Sequence, residues 1–237
     1  VNQIKTRTRA AKICEEVGLS AVAKSVKAAG NLCLSVFFSV ETHKEGNPFG
    51  AIVSKRGTWQ RCVASYLPSS LDILPVDDPC VIMSPTSVSE YLQNECSEQV
   101  GGFSVDVKDL FYSLHHNLVC DEVSQCIDRY GTTKFQNACG IHIDKFLELL
   151  SFFLESTLIS YNGAIFIQRD SVCIGSCIAP VLSNLVLARF EKSLMGCLLQ
   201  TSVTKVFRFV DDFLVLHQTD RTGQLSRAKK SSTSFNR

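Results

Sequence analysis

No Cys-x-x-Cys pair occurs anywhere in the 237 residues, although cysteine itself is abundant at 11. Zinc sites built from paired thiolates need that spacing, and the nearest pairs, Cys173/Cys177 and Cys120/Cys126, have no partner pair. The odd count, in a long chain rich in aliphatic residues, also speaks against a disulfide scaffold. The thiols therefore read as free and largely buried in an intracellular, reducing setting, with no disulfide-linked partner. A long uninterrupted apolar run is missing as well. Residues 146–159 are broken by Glu148 and Glu155, and residues 32–40 are too few to span a bilayer, so no membrane partner is expected. The start, Val1, Asn2, Gln3, Ile4, Lys5, lacks an apolar core behind its charges, which argues against a secretory signal. No repeat of solenoid period is visible. Extended disorder is excluded for most of the chain by a hydrophobic fraction of 45%, enough for one domain with a sizeable core, with or without an appendage.

Net charge is nearly absent too, at +1, but the total hides a division. Residues 1–30 carry net +4 and residues 217–237 another +4, leaving net −7 on residues 31–216. A simple nucleic-acid-binding module concentrates Lys and Arg on one face, and an acidic middle between basic ends does not. It suits a site that gathers carboxylates.

Periodicity predicts one or two basic helices over residues 5–29, with Gly30 as a stop. A β hairpin follows, from residues 32–40 and 49–54 about a polar turn at 42–47. Residues 59–67 read as helix, residues 68–85 as loop on the strength of four prolines, and residues 87–96 as helix. A strand over 103–107 leads to helical residues 119–130, and a strongly amphipathic helix is expected over 143–159. Tyr161-Asn162-Gly163 then turns the chain into a strand at 164–168. A long helix over 179–199 precedes two apolar β runs, 205–210 and 213–217, separated by Asp211-Asp212. This order indicates an α+β arrangement rather than a doubly wound sheet. From residue 219 the chain is poor in apolar side chains, and a disordered basic tail is expected over 218–237.

Acidic pairs at Glu15-Glu16, Asp77-Asp78 and Asp121-Glu122 lie beside turns or on polar helix faces, where solvated charge is the ordinary reading. Asp211-Asp212 differs, because it interrupts Val206-Phe207-Arg208-Phe209-Val210 and Phe213-Leu214-Val215-Leu216. Like charges at the tip of such a hairpin cost several kcal/mol unless a cation offsets them, and Mg²⁺, with its hard oxygen ligands, is the natural one. A solvated Asp-Asp turn fits the hairpin equally well. Asp106 weighs against it, standing near the end of the strand Phe103-Ser104-Val105-Asp106-Val107. Carboxylates from two strands meeting at one sheet edge could form a two-metal site for phosphoryl chemistry, whereas Asp106 alone would be an ordinary strand-end residue. Between the two blocks lies Cys173-Ile174-Gly175-Ser176-Cys177-Ile178-Ala179-Pro180. Here Gly175 allows close backbone approach and Pro180 suits a first helical turn.

Together these blocks resemble the palm motifs of reverse transcriptases, especially those of retrotransposons. Residues 106–114 are similar to the first palm motif and residues 175–184 to the Gly-Ser-x-x-x-Pro motif. Phe209-Val210-Asp211-Asp212 looks like the aromatic-x-Asp-Asp hairpin. Upstream, residues 42–54 are similar to the fingers segment of Penelope-like and related non-LTR elements, so the resemblance covers about residues 40–217. It implies an α+β right-hand polymerase with fingers and palm over 31–217, an antiparallel sheet packed on helices, a basic helical segment over 1–30, and no thumb. It also implies that Asp106, Asp211 and Asp212 hold two Mg²⁺ ions, which Mn²⁺ could replace, with Asp212 the more peripheral ligand. Phe111 would be the aromatic gate against a ribose 2′-OH, although a core Phe fits the residues alone. Gly175 and Ser176 would line the incoming base pair, and Lys44, otherwise a turn lysine, would reach the triphosphate. The implied reaction is RNA-directed DNA synthesis in the nucleus or cytoplasm: a DNA primer 3′-OH attacks the α-phosphate of a dNTP on an RNA template.

Two departures stand out. Gly50 occupies the place of an Arg that contacts the nucleotide in a Pro-x-Arg-x-Ile pattern, which leaves Lys55 or Arg56 as the available substitutes. After Leu216 the chain leaves the family pattern, which, with Val1 at the start, suggests a truncated fragment. Competing readings are a catalytically dead remnant that at most binds nucleic acid, an RNA-templated RNA polymerase, and a palm-type nucleotidyl cyclase. Phe111 argues against an RNA product, and the fingers segment against a cyclase. The acidic middle predicts weak, salt-sensitive binding of nucleic acid.

Overall fold

The computed structural model describes residues 2–40, 42, 45–95, 100–198 and 201–219. The chain begins with helices α1 (Gln3–Glu16) and α2 (Ser20–Ala28), then strands β1 (Leu34–Val40) and β2 (Phe49–Ser54). Three short helices follow: α3 (Trp59–Ala64), α4 (Leu67–Leu71) and α5 (Thr86–Asn94). Strand β3 (Val100–Asp106) leads to α6 (Leu110–Ser113), α7 (His116–Tyr130), α8 (Thr132–Cys139) and α9 (Ile143–Glu155). The described chain closes with β4 (Leu158–Tyr161), β5 (Ala164–Ile167), α10 (Ala179–Leu198), β6 (Val203–Phe209) and β7 (Asp212–Gln218). The chain divides into two units, one of Val1–Val76 and Asp109–Val186, the other of Asp77–Lys108 and Leu187–Arg237.

The first unit is organised by α9, whose buried residues Phe146, Leu149, Leu150, Phe153 and Leu154 fall at i, i+3, i+4, i+7 and i+8. Each such side chain contributes about 1.5–3 kcal/mol on burial. Phe146 meets Phe135 of α8 edge to face at 5.0 Å, and fully buried Trp59 packs against Phe152. The basic amino-terminal stretch forms two helices, parted where Gly18 takes a φ of 80°. Helix α1 turns Ala10, Ala11, Ile13 and Cys14 inward.

This unit holds a four-stranded sheet in the order β2-β1-β4-β5. The expected hairpin pairs Val40 with Phe49 through to Ser35 with Ser54. The amphipathic helix expected over 143–159 stops earlier, because Leu158 to Tyr161 form β4, whose β-branched and aromatic residues suit a pleated surface. Strand β4 pairs in parallel with β1 at Leu34–Ile159 and Ser35–Ser160, so this sheet is mixed rather than purely antiparallel. Asn162 and Gly163, both at positive φ, close the β4–β5 hairpin, as Asn-Gly two-residue loops do. Three helices were not foreseen, the single turn α6 among them. Helix α4 starts within the proline-rich stretch because Pro68 sits in its first turn, where a missing N–H is harmless, and α8 follows α7 after Gly131.

The second unit contains a three-stranded antiparallel sheet, β3-β7-β6. Central β7 pairs with β3 from Val100–Gln218 to Asp106–Asp212, and with β6 from Val203–His217 to Phe209–Asp212. Its run Phe213, Leu214, Val215, Leu216 is hydrogen-bonded on both edges, between β3 and β6. The outer edge of β6 is engaged by residues 80–82, since Arg208 N–H donates to Cys80 O at 2.7 Å and Ile82 N–H to Arg208 O at 2.9 Å. Tyr91 of α5 meets Phe207 of β6 edge to face at 5.4 Å. Among the described residues, no helix is long and apolar enough to cross a membrane.

Candidate functional site

Strand register places the three aspartates together at one end of the second unit's sheet. Asp106, the last residue of β3, stands directly across from Asp212, the first of β7, and Asp212 in turn pairs with Phe209 at the end of β6. Directly opposed residues share a sheet face, so Asp106, Asp212 and Phe209 form one row across three strands. Asp211 lies in the two-residue turn beside them, and its carbonyl accepts from the Val107 N–H at 3.0 Å. Asp106 and Asp212 are exposed and Asp211 is half-buried. An open groove of about 390 Å³ runs beside Asp212, lined by Ser104, Phe207, Phe209 and Leu214 of the sheet and by Ile82 and Val88.

The turn itself is strained. Val210 has a φ of 60°, while Asp211 does not share the positive φ, the sign pattern of a type II′ turn whose first position normally takes Gly. For a β-branched residue this costs on the order of 1–3 kcal/mol and persists only where the surroundings impose it.

The Val210 carbonyl is held by the side chain two residues before it. Arg208, the one charged side chain in the apolar part of the hairpin, is fully buried. Its Nη1 donates to Val210 O at 2.8 Å, its Nε donates to Glu191 of α10, and its Nη2 donates to Asp78. The Asp78 side chain, expected in a solvated turn, is fully buried, and its Oδ1 also accepts the N–H groups of Cys80 and Val81 at 2.9 and 3.0 Å. Glu122, likewise expected to be solvated, is buried and paired with Arg129 at 2.7 Å. Burial and the neighbouring Asp78 carboxylate push Glu191 up to about 7, against the pull of Arg208. For Asp78, burial is outweighed by hydrogen bonds from Glu191 and the Cys80 N–H and by Arg208, so its carboxyl is held below the usual range. Of the two carboxyls, Glu191 is the one raised and Asp78 the one held down.

Asp78, Cys80 and Glu191 are the one trio among the described residues whose ligand atoms all lie within 4.8 Å of one another. The cation that serves them is the Arg208 guanidinium, and burial with two acidic neighbours drives the Cys80 thiol up to about 12, so the trio does not suit a metal. Asp106, Asp211 and Asp212 are not drawn as closely together. Their donor set, carboxylate oxygen alone on an exposed sheet end, does fit a hard cation such as Mg²⁺.

The remaining candidates fall in the first unit, apart from Lys44, which lies outside the described residues. Gly175 has a φ of 84°, and a Cβ there would come within 2.8 Å of Val53 O on β2, so this position admits only glycine without rearrangement. Ser176 is buried, and its Oγ accepts a hydrogen bond from the Lys55 ammonium. That ammonium also lies 4.9 Å from the Phe153 ring centroid, and burial lowers its pKa below the ordinary lysine value. Gly50, opposite Ser39 in the β1–β2 hairpin, carries no side chain to do likewise. Phe111 is half-buried on α6, and its carbonyl accepts from the Val172 N–H at 3.0 Å.

Sequence reasoning missed Asp170. Its carboxylate accepts from the His116 N–H at 2.9 Å and the Ser171 N–H at 2.8 Å and shares a 2.6 Å hydrogen bond with His115 Nδ1. These bonds, the His116 one foremost, hold it well below the usual carboxylate range and tie the start of α7 to the loop leading to Gly175.

No protein-family model and no curated protein sequence matches the chain. Solved structures do match in fold. Apo telomerase from Candida tropicalis aligns over 89% of this chain and 45% of its own, with a TM-score of 0.54 and 11% identity. Telomerase of the same organism in complex with a TWJ fragment of telomeric RNA aligns over 79% of this chain and 36% of its own, with a TM-score of 0.55 and 13% identity. The corresponding complex from Candida albicans gives 83%, 40%, 0.54 and 11% in the same order. The matched region thus spans less than half of each telomerase chain. The chain shares with these telomerase structures an α+β fold with sheets packed on helices.

Proposed function

We propose that this chain is the fingers and palm of an RNA-directed DNA polymerase of a retrotransposable element, acting by two-metal nucleotidyl transfer. The observation that carries the reading is the pairing of Asp106 with Asp212 beside Asp211, because it unites carboxylates about a hundred residues apart in the chain at one sheet end. Fold likeness supports the polymerase class, and the telomerases that bind telomeric RNA fragments support an RNA template. The retrotransposon assignment rests on the motifs of residues 42–54, 106–114, 175–184 and 209–212.

In this reading Asp106 and Asp211 are the principal ligands of two Mg²⁺ ions and Asp212 the peripheral one. Bound there, the metal supplies charge stabilisation for an attacking 3′-OH and a leaving pyrophosphate. The chain's own residues set the positions. The sheet register fixes the carboxylates, Gly175 and Ser176 line the base pair, and Phe111 excludes a ribose 2′-OH. Lys44, which lies outside the described residues, is assigned to the triphosphate, with Lys55, bonded to Ser176, or Arg56 as the substitute for the cation that Gly50 lacks. Residues 1–30 are read as a basic helical segment, the residues after β7, which from 220 on lie outside the described residues, as a tail, and the compartment as nucleus or cytoplasm.

The test is dNTP incorporation by the full chain on a DNA-primed RNA with Mg²⁺ or Mn²⁺. A thermal-shift titration with Mg²⁺ and dNTP accompanies it, since ligands that bind only the folded state must raise apparent stability. Incorporation with stabilisation supports the reading. Absence of both points to a remnant without catalysis.

A further inference from the structure

Arg208 divides its donors among separate acceptors rather than committing them to one ion pair. Nε goes to Glu191 of α10, Nη2 to Asp78 just ahead of the segment laced to β6, and Nη1 to the carbonyl of Val210, 2.8 Å away. That last bond reaches the strained turn itself. The Val210 carbonyl belongs to the peptide plane that contains the Asp211 nitrogen, so holding it fixes the direction from which the Asp211 side chain departs. On the other side of Asp211, its own carbonyl is held by the Val107 N–H at 3.0 Å, and Val107 follows Asp106 directly. Both peptide planes flanking Asp211 are thereby pinned, one from β3 and one from the buried guanidinium.

We propose that Arg208 is a positioning residue, anchored by buried Asp78 and Glu191, that holds the Val210–Asp211 turn and so aims the carboxylate of Asp211. A planar guanidinium is suited to this because it presents several N–H groups in a fixed fork and stays charged, whereas a lysine ammonium cannot meet three separate acceptors in one plane. Two anchors are needed because a cation tied to the turn alone would swing with it. What Asp211 does with its position rests on the polymerase reading, but the pinning does not.

The test uses the full chain as wild type, Arg208→Met and Arg208→Lys, with Lys192→Met as control, since Lys192 makes only an exposed ion pair with Asp77. Amide exchange reads the pinning: Val107 should exchange at least about tenfold faster in both Arg208 variants, with the rest of the β3–β7 ladder changed by less than about threefold. In the incorporation assay, kcat should fall by about a hundredfold while KM for dNTP moves by less than about threefold. Arg208→Lys should not restore kcat, and Lys192→Met should behave as wild type. Uniform loss of protection along the ladder, or kcat restored in full by Arg208→Lys, overturns the proposal in favour of a purely structural ion pair. If the wild-type chain incorporates nothing, the polymerase reading fails, and the exchange at Val107 still decides whether Arg208 pins the turn.

Discussion

The carbonyl oxygen of Val53 lies 2.8 Å from the point a Cβ on Gly175 would occupy, so β2 and the loop before α10 approach as closely as a glycine allows. The φ of 84° at Gly175 adds a second requirement for the same residue. Gly175→Ala must therefore adopt an unfavourable left-handed conformation and displace backbone rather than a flexible side chain. A loss of about 2–4 kcal/mol is expected. Chemical denaturation with an unchanged slope checks it, and a shift within about 0.5 kcal/mol would show that the loop relaxes freely.

Glu191 gives the fold a pH dependence of defined sign. Its folded-state value of about 7 lies above the ordinary 4.5, so between these values the native chain holds a proton that the unfolded chain has released. Stability from this group is then greatest below 4.5, falls as pH rises through the window, and levels off above about 7. Asp78 works in the opposite sense, adding stability above its unfolded value and losing it only in stronger acid. Glu191→Gln keeps an acceptor for Arg208 and a donor for Asp78 without titrating. Its melting temperature should match wild type near about pH 5 and exceed it near about pH 8, and identical profiles would contradict the raised Glu191 carboxyl.

How much of this could be read from the sequence depended on how local the cause was. The i, i+3, i+4 pattern of Phe146, Leu149, Leu150 and Phe153 announces α9, and the two apolar runs about Asp211-Asp212 announce the hairpin. Leu158 and Ile159 continue the apolar texture of α9 and read as its last residues, because only the partner strand β1 shows that they extend. Asp78 looked solvated because its cation, Arg208, is 130 residues away. A signal was present nonetheless. A lone Arg within the apolar hairpin had to be paired if buried, which called for acidic partners elsewhere in the chain. The meeting of Asp106 with Asp212 was legible for a different reason, since two strands each ended on a carboxylate that the sequence alone left without a partner.

Phe111 provides a test of substrate class. If its ring excludes the 2′-OH, Phe111→Val should raise the ratio of ribonucleotide to deoxynucleotide incorporation by about tenfold or more while retaining DNA synthesis. An unchanged ratio with synthesis retained would return Phe111 to an ordinary packing role.

The central claim is that the aspartates joined by the β3–β7 register carry metal-dependent nucleotidyl transfer, and one comparison tests it most directly. Wild type and Asp211→Asn are assayed side by side for Mg²⁺-dependent dNTP incorporation on a DNA-primed RNA, with matched melting temperatures confirming that both are folded. Removal of one ligand charge should cost about 4 kcal/mol of transition-state stabilisation, a loss of about 10³-fold in rate. Equal incorporation by the two proteins would contradict the account.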